Sequence, residues 1–368
     1  MRRVLNLLVA PAVALVTAVV VASLALVVSG NSPIDAFRAM FTFVDSTASI
    51  VTIVNRAVPL YVASLAVAIG FKMNLFNIGA DGQYRLAALL AAAAGAAVSL
   101  PAILHVPFIM VVAIATGGAW AAIPGFLKVT RGVNEVVSTI MLNYVATGVS
   151  AYLLLTYFRN ERVVNIAETK VLPPSGRLPT LDSWLRAVGF HLPPGSRLQG
   201  FLPIAIAIGI AFYVVVWRTR FGYDLRMSGA NAAAARASGV ASNGMVVKTI
   251  VLSGMLAGLA AMAPLLCENF KYNEGFPLGT AFTGIGVALL GRNHPAGIAV
   301  AAFVWAGVEH GARNLSSVDI PSETSKILLG TLLLSAVVSF ELVRRRNLAA
   351  TVHAASHAPP LTATAGAT

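Results

Sequence analysis

The sequence predicts an all-α, polytopic integral membrane protein with about ten transmembrane helices, some of them short or interrupted. Only 11% of its 368 residues are charged and 57% are hydrophobic, whereas a soluble globular chain carries about 25% charged residues. Its apolar runs are about 20 residues long, which is the length that an α-helix needs to cross a bilayer. Transmembrane strands would instead alternate in polarity over about 10 residues. Because the bilayer core offers no water to unpaired backbone groups, these runs favour helices over any open structure.

The first predicted span, residues 5–28, follows Arg2 and Arg3. Its apolar stretch exceeds the roughly 7–15 residues of a signal-peptide core, so we expect a retained helix with a cytoplasmic amino terminus. The other predicted spans are residues 50–71, 86–104, 107–127, 136–158, 201–217, 245–266, 276–290, 297–308 and 327–342. Half-helices are an alternative for two of these, 276–290 and 297–308, because both are short and contain glycine.

The positions of Lys and Arg predict the orientation. With the amino terminus inside, more than half of the 26 basic residues fall on the cytoplasmic side, as the positive-inside rule requires. This bias explains the net charge of +12 better than binding to nucleic acid does, since the chain has no nucleic-acid-binding motif. We therefore expect a multi-pass protein of a bacterial cytoplasmic (inner) membrane with both termini cytoplasmic.

The domain organisation is predicted to be simple. Residues 1–346 form one transmembrane domain, with an external, proline-containing loop at 159–200 and a basic cytoplasmic loop at 218–245. Residues 347–368 are predicted to be a disordered cytoplasmic tail. No separate soluble domain is expected.

The sequence lacks the motifs of an enzyme. It has no G-x-x-x-x-G-K-[ST] loop for nucleotide phosphates and no H-E-x-x-H zinc motif. Cys267 is its single cysteine, so an intrachain disulfide and a cysteine-based metal cluster are excluded. We therefore expect no catalytic residue, no metal site and no cofactor on this chain, and any ATP that drives it must bind elsewhere.

Polar residues interrupt the apolar pattern in the stretch FNIGADGQYR, residues 76–85. Asn77, Asp81 and Gln83 cost free energy in a membrane unless they meet water, backbone or each other. They either line a polar path or cap a cytoplasmic turn.

A second polar stretch is GVNEVVSTIMLNYVAT, residues 132–147. Glu135, Thr139, Asn143 and Thr147 recur every fourth residue, which places them along one face of a helix. That face either borders a watery path or forms hydrogen bonds between helices.

Two further stretches stand out. Residues 219–239 contain a short Ala-rich helix at about 231–238 after Gly229, which either docks on a partner protein or forms a solvated loop. Residues 284–297, GIGVALLGRNHPAG, contain glycines and Pro295 that either open a path or allow tight packing. We assign Gly254 and Gly258, a G-x-x-x-G pair, to packing.

In these stretches the chain resembles the permeases of ABC importers for nucleosides and simple sugars, a branch of the family that includes the branched-chain amino acid and ribose permeases. FNIGADGQ, NEVVSTIMLNY and GIGVALLGRNHP carry the resemblance, which covers roughly residues 50–342. The family signature has Glu where Asp81 stands. The nucleoside branch, which works with a BMP-type substrate-binding lipoprotein, is the most similar.

The resemblance implies a permease subunit that works with an ABC ATPase carrying ATP and Mg, a second permease (a paralogue or another copy of itself) and an extracytoplasmic substrate-binding lipoprotein. Membrane lipid surrounds it. The implied translocation path contains Asn77, Asp81, Gln83, Glu135, Thr139 and Asn143. The implied ATPase-coupling loop contains Gly222, Tyr223, Arg226, Gly229, Asn231 and Arg236.

An ion-gradient-driven secondary transporter of a small polar solute is the alternative function. Glu135 or Glu309 would then be the coupling acid.

Overall fold

The computed structural model describes residues 16–338, except 18, 43–45, 164, 316–319, 321–325, 328, 332 and 336–337. Within these ranges the chain forms helices and no β-strand, with an isolated bridge between Glu168 and Asn273. The all-α prediction is confirmed. The amino-terminal part of the first predicted span and the predicted tail at 347–368 lie outside the described residues.

The helices are numbered in chain order. They are α1 (Val19–Val28), α2 (Pro33–Thr42), α3 (Thr47–Lys72), α4 (Ala80–Ala97), α5 (Ala102–Arg131), α6 (Glu135–Leu153), α7 (Asp182–Ala187), α8 (Leu202–Arg218), α9 (Arg220–Ala230), α10 (Ala232–Ala237), α11 (Ser242–Ala260), α12 (Met262–Pro264), α13 (Thr280–Leu290) and α14 (Pro295–Ala312). A π-helical turn extends α6 through Leu154–Phe158, and another extends α12 through Leu265–Asn269.

Four of the described helices are long and apolar enough to cross a membrane. They are Thr47–Lys72, Ala102–Arg131, Glu135–Phe158 and Ser242–Asn269. A fifth span results if α8 and α9, which meet at a bend of 68°, are counted together. The structure thus confirms a bundle of membrane-spanning helices, and the number ten stays a prediction.

The two segments for which half-helices were considered differ from each other. Helix α13 has 11 residues, so it is about 16 Å long and cannot cross a hydrocarbon core of about 30 Å. Helix α14 has 18 residues, or about 27 Å. The half-helix alternative therefore fits α13 by its length, whereas α14 is close in length to the thickness of the core but is not among the helices that are long and apolar enough to cross it.

The boundaries of the third predicted span, 86–104, differ from those of the structure. Helix α4 begins earlier, at Ala80, and ends at Ala97, while α5 begins directly after Pro101. Residue Val98 is extended, with φ −117° and ψ 141°. The helix starts early because the polar residues of its first turns find partners inside the protein. A hydropathy average does not include such hydrogen bonds and therefore places the start of the helix too late.

Helices α3 and α11 form the centre of the bundle. Most residues of both helices are buried, whereas α5 and α6 turn most of their apolar side chains outward. Helix α11 packs along α5 so closely that a Cβ atom on Gly254 would overlap the carbonyl of Gly117, and one on Gly258 would overlap the carbonyl of Ala113. The assignment of this glycine pair to helix packing is confirmed.

The loop at 159–200 packs onto the segment that follows α12. The amides of Thr169, Leu172 and Leu178 donate hydrogen bonds of 2.7–2.9 Å to carbonyls of residues 266–272. Lys271 and Glu168 add an ion pair of 2.6 Å. Apart from the six-residue helix α7 and a short 3-10 turn, the described part of this loop is irregular, as predicted.

Candidate functional site

A buried polar junction joins the start of α4 to α11. The Asn77 side-chain amide donates to Gln83 Oε1 and to Ser253 Oγ, both at 2.9 Å, and Gln83 Nε2 donates back to Asn77 Oδ1 at 3.2 Å. Ser253 in turn donates to the carbonyl of Ala66 in α3. All these polar side chains are buried, and their mutual hydrogen bonds offset the cost of removing them from water.

Asn143 of α6 holds the same junction from the other side. Its Oδ1 accepts a hydrogen bond of 2.8 Å from the amide of Gly82, and its Nδ2 donates 2.8 Å to the carbonyl of Ile78. Both partners are backbone groups that the turn into α4 leaves without helical partners. One amide side chain therefore fixes the entry of α4 against α6.

Asp81 connects this junction to the half-helix α13. Its carboxylate accepts a hydrogen bond of 2.8 Å from the amide of Gly279, the residue before α13. A carboxylate at the amino end of a helix is favoured by the exposed amides there. Asp81 thus sets where α13 begins.

Glu135 and Thr139 lie on the same face of α6 as Asn143 but nearer to the start of this helix. Glu135 forms an ion pair of 2.6 Å with Lys128 of α5, and the hydroxyl of Thr139 donates to the carbonyl of Glu135 at 2.6 Å. Glu135 therefore locks the turn between α5 and α6. Thr147, the last member of the predicted stripe, is exposed.

The structure thus places the predicted path residues mainly at contacts between helices. Asn77, Asp81, Gln83 and Asn143 all bond at or next to the turn into α4. Thr139 packs against Gly79 in the same turn, while Glu135 lies near the loop between α5 and α6. Two residues of the stripe, Glu135 and Asn143, bond to neighbouring elements, as one of its two alternatives proposed. The other two, Thr139 and Thr147, donate to carbonyls of their own helix. That the six predicted path residues also shape a translocation path stays a prediction.

The Asn143→Leu variant is expected to lose about 1–3 kcal/mol of stability, because it leaves the Gly82 amide and the Ile78 carbonyl without partners. Thermal unfolding of the purified protein in detergent measures the loss. Thr147→Val is the matched control, since this exposed hydroxyl bonds only its own helix, to the carbonyl of Asn143. Equal melting temperatures for the two variants would contradict the junction.

An open polar cavity of about 400 Å³ lies beside this junction, and two of its charged residues, Glu268 and Arg313, are exposed. It is bordered by α3, the turn after α12, the start of α13, the end of α14 and Gln199 of the long loop. Its charged and amide-bearing residues are Asn55, Arg56, Gln199, Glu268, Asn269, Glu309 and Arg313. Its size falls within the range of small-molecule sites, about 300–1,000 Å³.

Charges of both signs face this cavity. The positive charge of Arg56 is attracted by the carboxylates of Glu309 and Glu268 and repelled by the guanidinium of Arg313. The Nε atom of Arg56 is buried without a hydrogen-bond partner. Glu309 accepts a hydrogen bond of 2.9 Å from the indole of Trp305. Ionisable side chains within membrane helices typically mark solute or ion pathways.

Sequence reasoning named Glu309 only for the alternative function, and it missed Arg56, Glu268 and Arg313. One signal was present, because Arg56 is a lone cation inside the predicted span 50–71. The six predicted path residues are not among those that line the cavity. The two groups meet at the start of α13, where Asp81 binds Gly279 and the next residue, Thr280, borders the cavity.

The predicted coupling loop folds into two short helices. Asn231 caps α10 by accepting hydrogen bonds of 3.0 Å from the amides of Ala233 and Ala234, so the predicted Ala-rich helix is confirmed. Arg236 on α10 and Tyr223 on α9 are exposed.

The rest of this loop packs against the bundle. Gly222 lies against the carboxyl end of α8, and Gly229 lies against Lys72 and Met73 at the end of α3. Arg226 Nε donates 3.2 Å to the carbonyl of Gly222. The two helices therefore present an exposed surface that is attached directly to α3 and α8.

The fourth stretch, residues 284–297, is a packing element. Gly284 lies against the backbone of α3 at Ala63 and Ser64, and Gly291 lies against Gly297 and Ile298 in the turn between α13 and α14. Of the two alternatives for this stretch, tight packing is the one that the structure favours.

Comparison with known proteins gives the family. The family model described as the permease component of branched-chain amino acid transport systems matches residues 49–337. The chain belongs to this family. It is a membrane permease subunit rather than an enzyme, and permeases of this family work with a separate ATPase and a substrate-binding partner.

The chain is also similar along most of its length to three permeases. It is 30% identical to the glucose ABC transporter permease of Haloferax volcanii, over 97% of this chain and 93% of that protein. It is 30% identical to the guanosine ABC transporter permease of Bacillus subtilis (93% and 96%) and 27% identical to a nucleoside ABC transporter permease of Lactococcus lactis (90% and 90%). No solved structure gives a significant match.

Proposed function

We propose that this chain is the permease subunit of an ABC importer that moves nucleosides or simple sugars across the cytoplasmic (inner) membrane. The observation that carries the proposal is the polar cavity, a cleft of small-molecule size beside the apolar helix α3. A bundle that served only as an anchor would gain nothing from placing Arg56 and Glu309 there, because buried charges are costly.

The chemistry of the cavity suits a neutral, hydroxyl-rich solute. Carboxylates accept hydrogen bonds from hydroxyl groups, guanidinium groups donate them, and amides such as Asn269 and Gln199 do both. The opposite charges of Arg56 and Glu309 leave no strong preference for an ion. The names of the three relatives, two for nucleosides and one for glucose, support the same solute class.

The orientation follows from the same proposal. The loop at 159–200 lies outside and borders the cavity through Gln199, so a substrate-binding lipoprotein delivers the solute from that side. The chain has about ten membrane segments, of which α13 is too short to cross, and we place both termini in the cytoplasm. In this proposal residues 1–346 form the transmembrane domain.

The ATPase binds the cytoplasmic segment 218–245. The surface of α9 and α10, with Tyr223, Arg226 and Arg236, contacts the ATPase, which holds ATP and Mg, while this chain holds no cofactor. Since α9 packs on the ends of α3 and α8, a displacement of α9 by the ATPase would also move α3, the helix that carries Arg56. A second permease, a paralogue or another copy of this chain, completes the complex.

The polar junction positions the helices that border the proposed translocation path. Through Asp81 it fixes the start of α13, and through Asn77 and Asn143 it fixes the start of α4. A shift of these helices between inward-open and outward-open states would open or close the cavity at Thr280.

Proteoliposomes test the proposed function. Vesicles that contain the permease complex with its ATPase are expected to take up radiolabelled nucleoside or sugar when the binding protein and ATP are supplied. Arg226→Glu in the permease is expected to lower this uptake, because it reverses a charge on the ATPase-facing surface. Uptake that an ion gradient drives without ATP or the ATPase would instead support the secondary transporter.

A further inference from the structure

An apolar groove runs along the outside of the bundle between α3, α8 and α14. It has a volume of about 520 Å³ and follows α8 from Leu202 through Ile206 to Tyr213, with Ala299 and Phe303 of α14 opposite. Leu202 and Tyr213 are 11 residues apart, or about 16 Å along the helix, which is roughly the depth of one bilayer leaflet. The groove therefore has the length and polarity of a site for one lipid chain.

A cluster of aromatic and basic residues lies at one end of the groove. Tyr213 stacks on Trp217 with ring centroids 5.5 Å apart, and His294 lies 5.2 Å from Trp217. Lys72 Nζ is 5.0 Å from the centre of the Trp217 ring, and the Arg218 guanidinium is 6.0 Å from that of Tyr213. Trp, Tyr and basic side chains are the residues that meet lipid headgroups.

The charge at this end is strongly positive. Lys72 is repelled by Arg226 and Arg292. The ion pairs Lys128–Glu135 and Lys271–Glu168 involve neither Lys72 nor Arg218. An anion is therefore the natural partner of this cluster.

We propose that the groove and its basic end bind an anionic glycerophospholipid, with an acyl chain in the groove and the phosphate at Lys72 and Arg218. An amphiphile fits because one molecule must satisfy both an apolar groove one leaflet deep and an adjoining cationic cluster. The site joins α3, α8 and α14 at the point where α9 begins. A bound lipid thus stabilises the end of α3 against the segment at 218–245.

Lipid titration tests the headgroup end. The purified full-length permease in neutral detergent is titrated with phosphatidylglycerol or phosphatidylcholine carrying identical chains, and bound lipid is counted by native mass spectrometry. The wild type is expected to prefer phosphatidylglycerol. The double variant Lys72→Gln/Arg218→Gln is expected to bind it about 30-fold more weakly, since each basic side chain contributes about fivefold.

Lys248→Gln is the matched control. It removes an exposed positive charge from the first turns of α11, away from the groove, and is expected to keep the preference of the wild type. Equal binding of the two lipids by the wild type, or equal losses in Lys248→Gln and the double variant, would overturn the proposal.

A second pair of variants tests the groove itself. Ala299→Phe fills the groove and is expected to weaken phosphatidylglycerol binding at least about fourfold, which corresponds to the burial of one CH₂ group of the acyl chain. Val300→Phe places the same ring one residue further on, at a position that is 65% exposed and outside the groove, and is expected to bind as the wild type does. If Ala299→Phe instead separates two permease copies and leaves lipid binding unchanged, the groove is a subunit interface and the lipid proposal is wrong.

Discussion

The Gly254→Val variant is expected to remove most of the folded protein from the membrane. Helices α11 and α5 touch backbone to backbone here, and even one Cβ atom on Gly254 would overlap the Gly117 carbonyl and the Ala121 side chain. Overpacking against side chains costs about 1–3 kcal/mol, and a backbone carbonyl cannot rotate away as a side chain does, so we expect a loss above about 3 kcal/mol. Because α11 is central, separating it from α5 disrupts the contacts of α3 and α4 as well.

The same helix offers a matched control. A Cβ atom on Gly244 would meet only Ala241 Cβ, at 4.0 Å, so Gly244→Val adds an identical side chain where there is space. Membrane fractions and size-exclusion profiles of fluorescent fusions measure the folded amount. Similar folded amounts of the two variants would show that the α5–α11 contact is looser than described.

The sequence predicted the helical class and the interhelical contacts well, for a physical reason. A charged or amide side chain in an apolar run must find a partner. Asn77 finds its partners at Gln83 and Ser253, and Asp81 finds its partner at the amide of Gly279. The glycine pair Gly254 and Gly258 likewise encodes a close helix contact in a short pattern. Such local signals can be recognised without knowing the fold.

The cavity could not be predicted in the same way. Arg56, Glu268, Glu309 and Arg313 lie on three segments far apart in sequence, and each resembles a solitary charge near the end of an apolar run. Only the packing of α3, α14 and the turn after α12 brings them together. The start of α4 was misplaced for a related reason, since hydropathy treats Asp81 and Arg85 as outside the membrane although α4 includes both.

The Arg56→Gln and Glu309→Gln variants are each expected to lower ATP-driven solute uptake at least about tenfold while the folded amount changes little. Each removes one charge from the cavity and leaves its opposite uncompensated, and loss of a hydrogen bond to a charged group costs about 1.5–3 kcal/mol, or roughly 10-fold to 150-fold in affinity. Uptake at several solute concentrations, normalised to the amount of permease in the vesicles, measures the effect. The ATPase activity of the complex without solute is expected to stay at the wild-type level, because neither residue touches the segment at 218–245.

The double variant Arg56→Gln/Glu309→Gln separates solute contact from simple charge balance. If the two residues only compensate one another, the neutral pair restores the balance and uptake returns towards the wild-type level. If they form hydrogen bonds with the solute, uptake stays low although folding is normal, and this is the result that we expect.

Asn55 provides the control outside the charge pair, since its side chain binds the backbone at Arg197 and Gln199. Asn55→Leu is therefore expected to disturb the loop at 159–200 and lower the melting temperature, a change that neither charge variant should produce. Wild-type uptake by both single charge variants would exclude the cavity as the path of the solute.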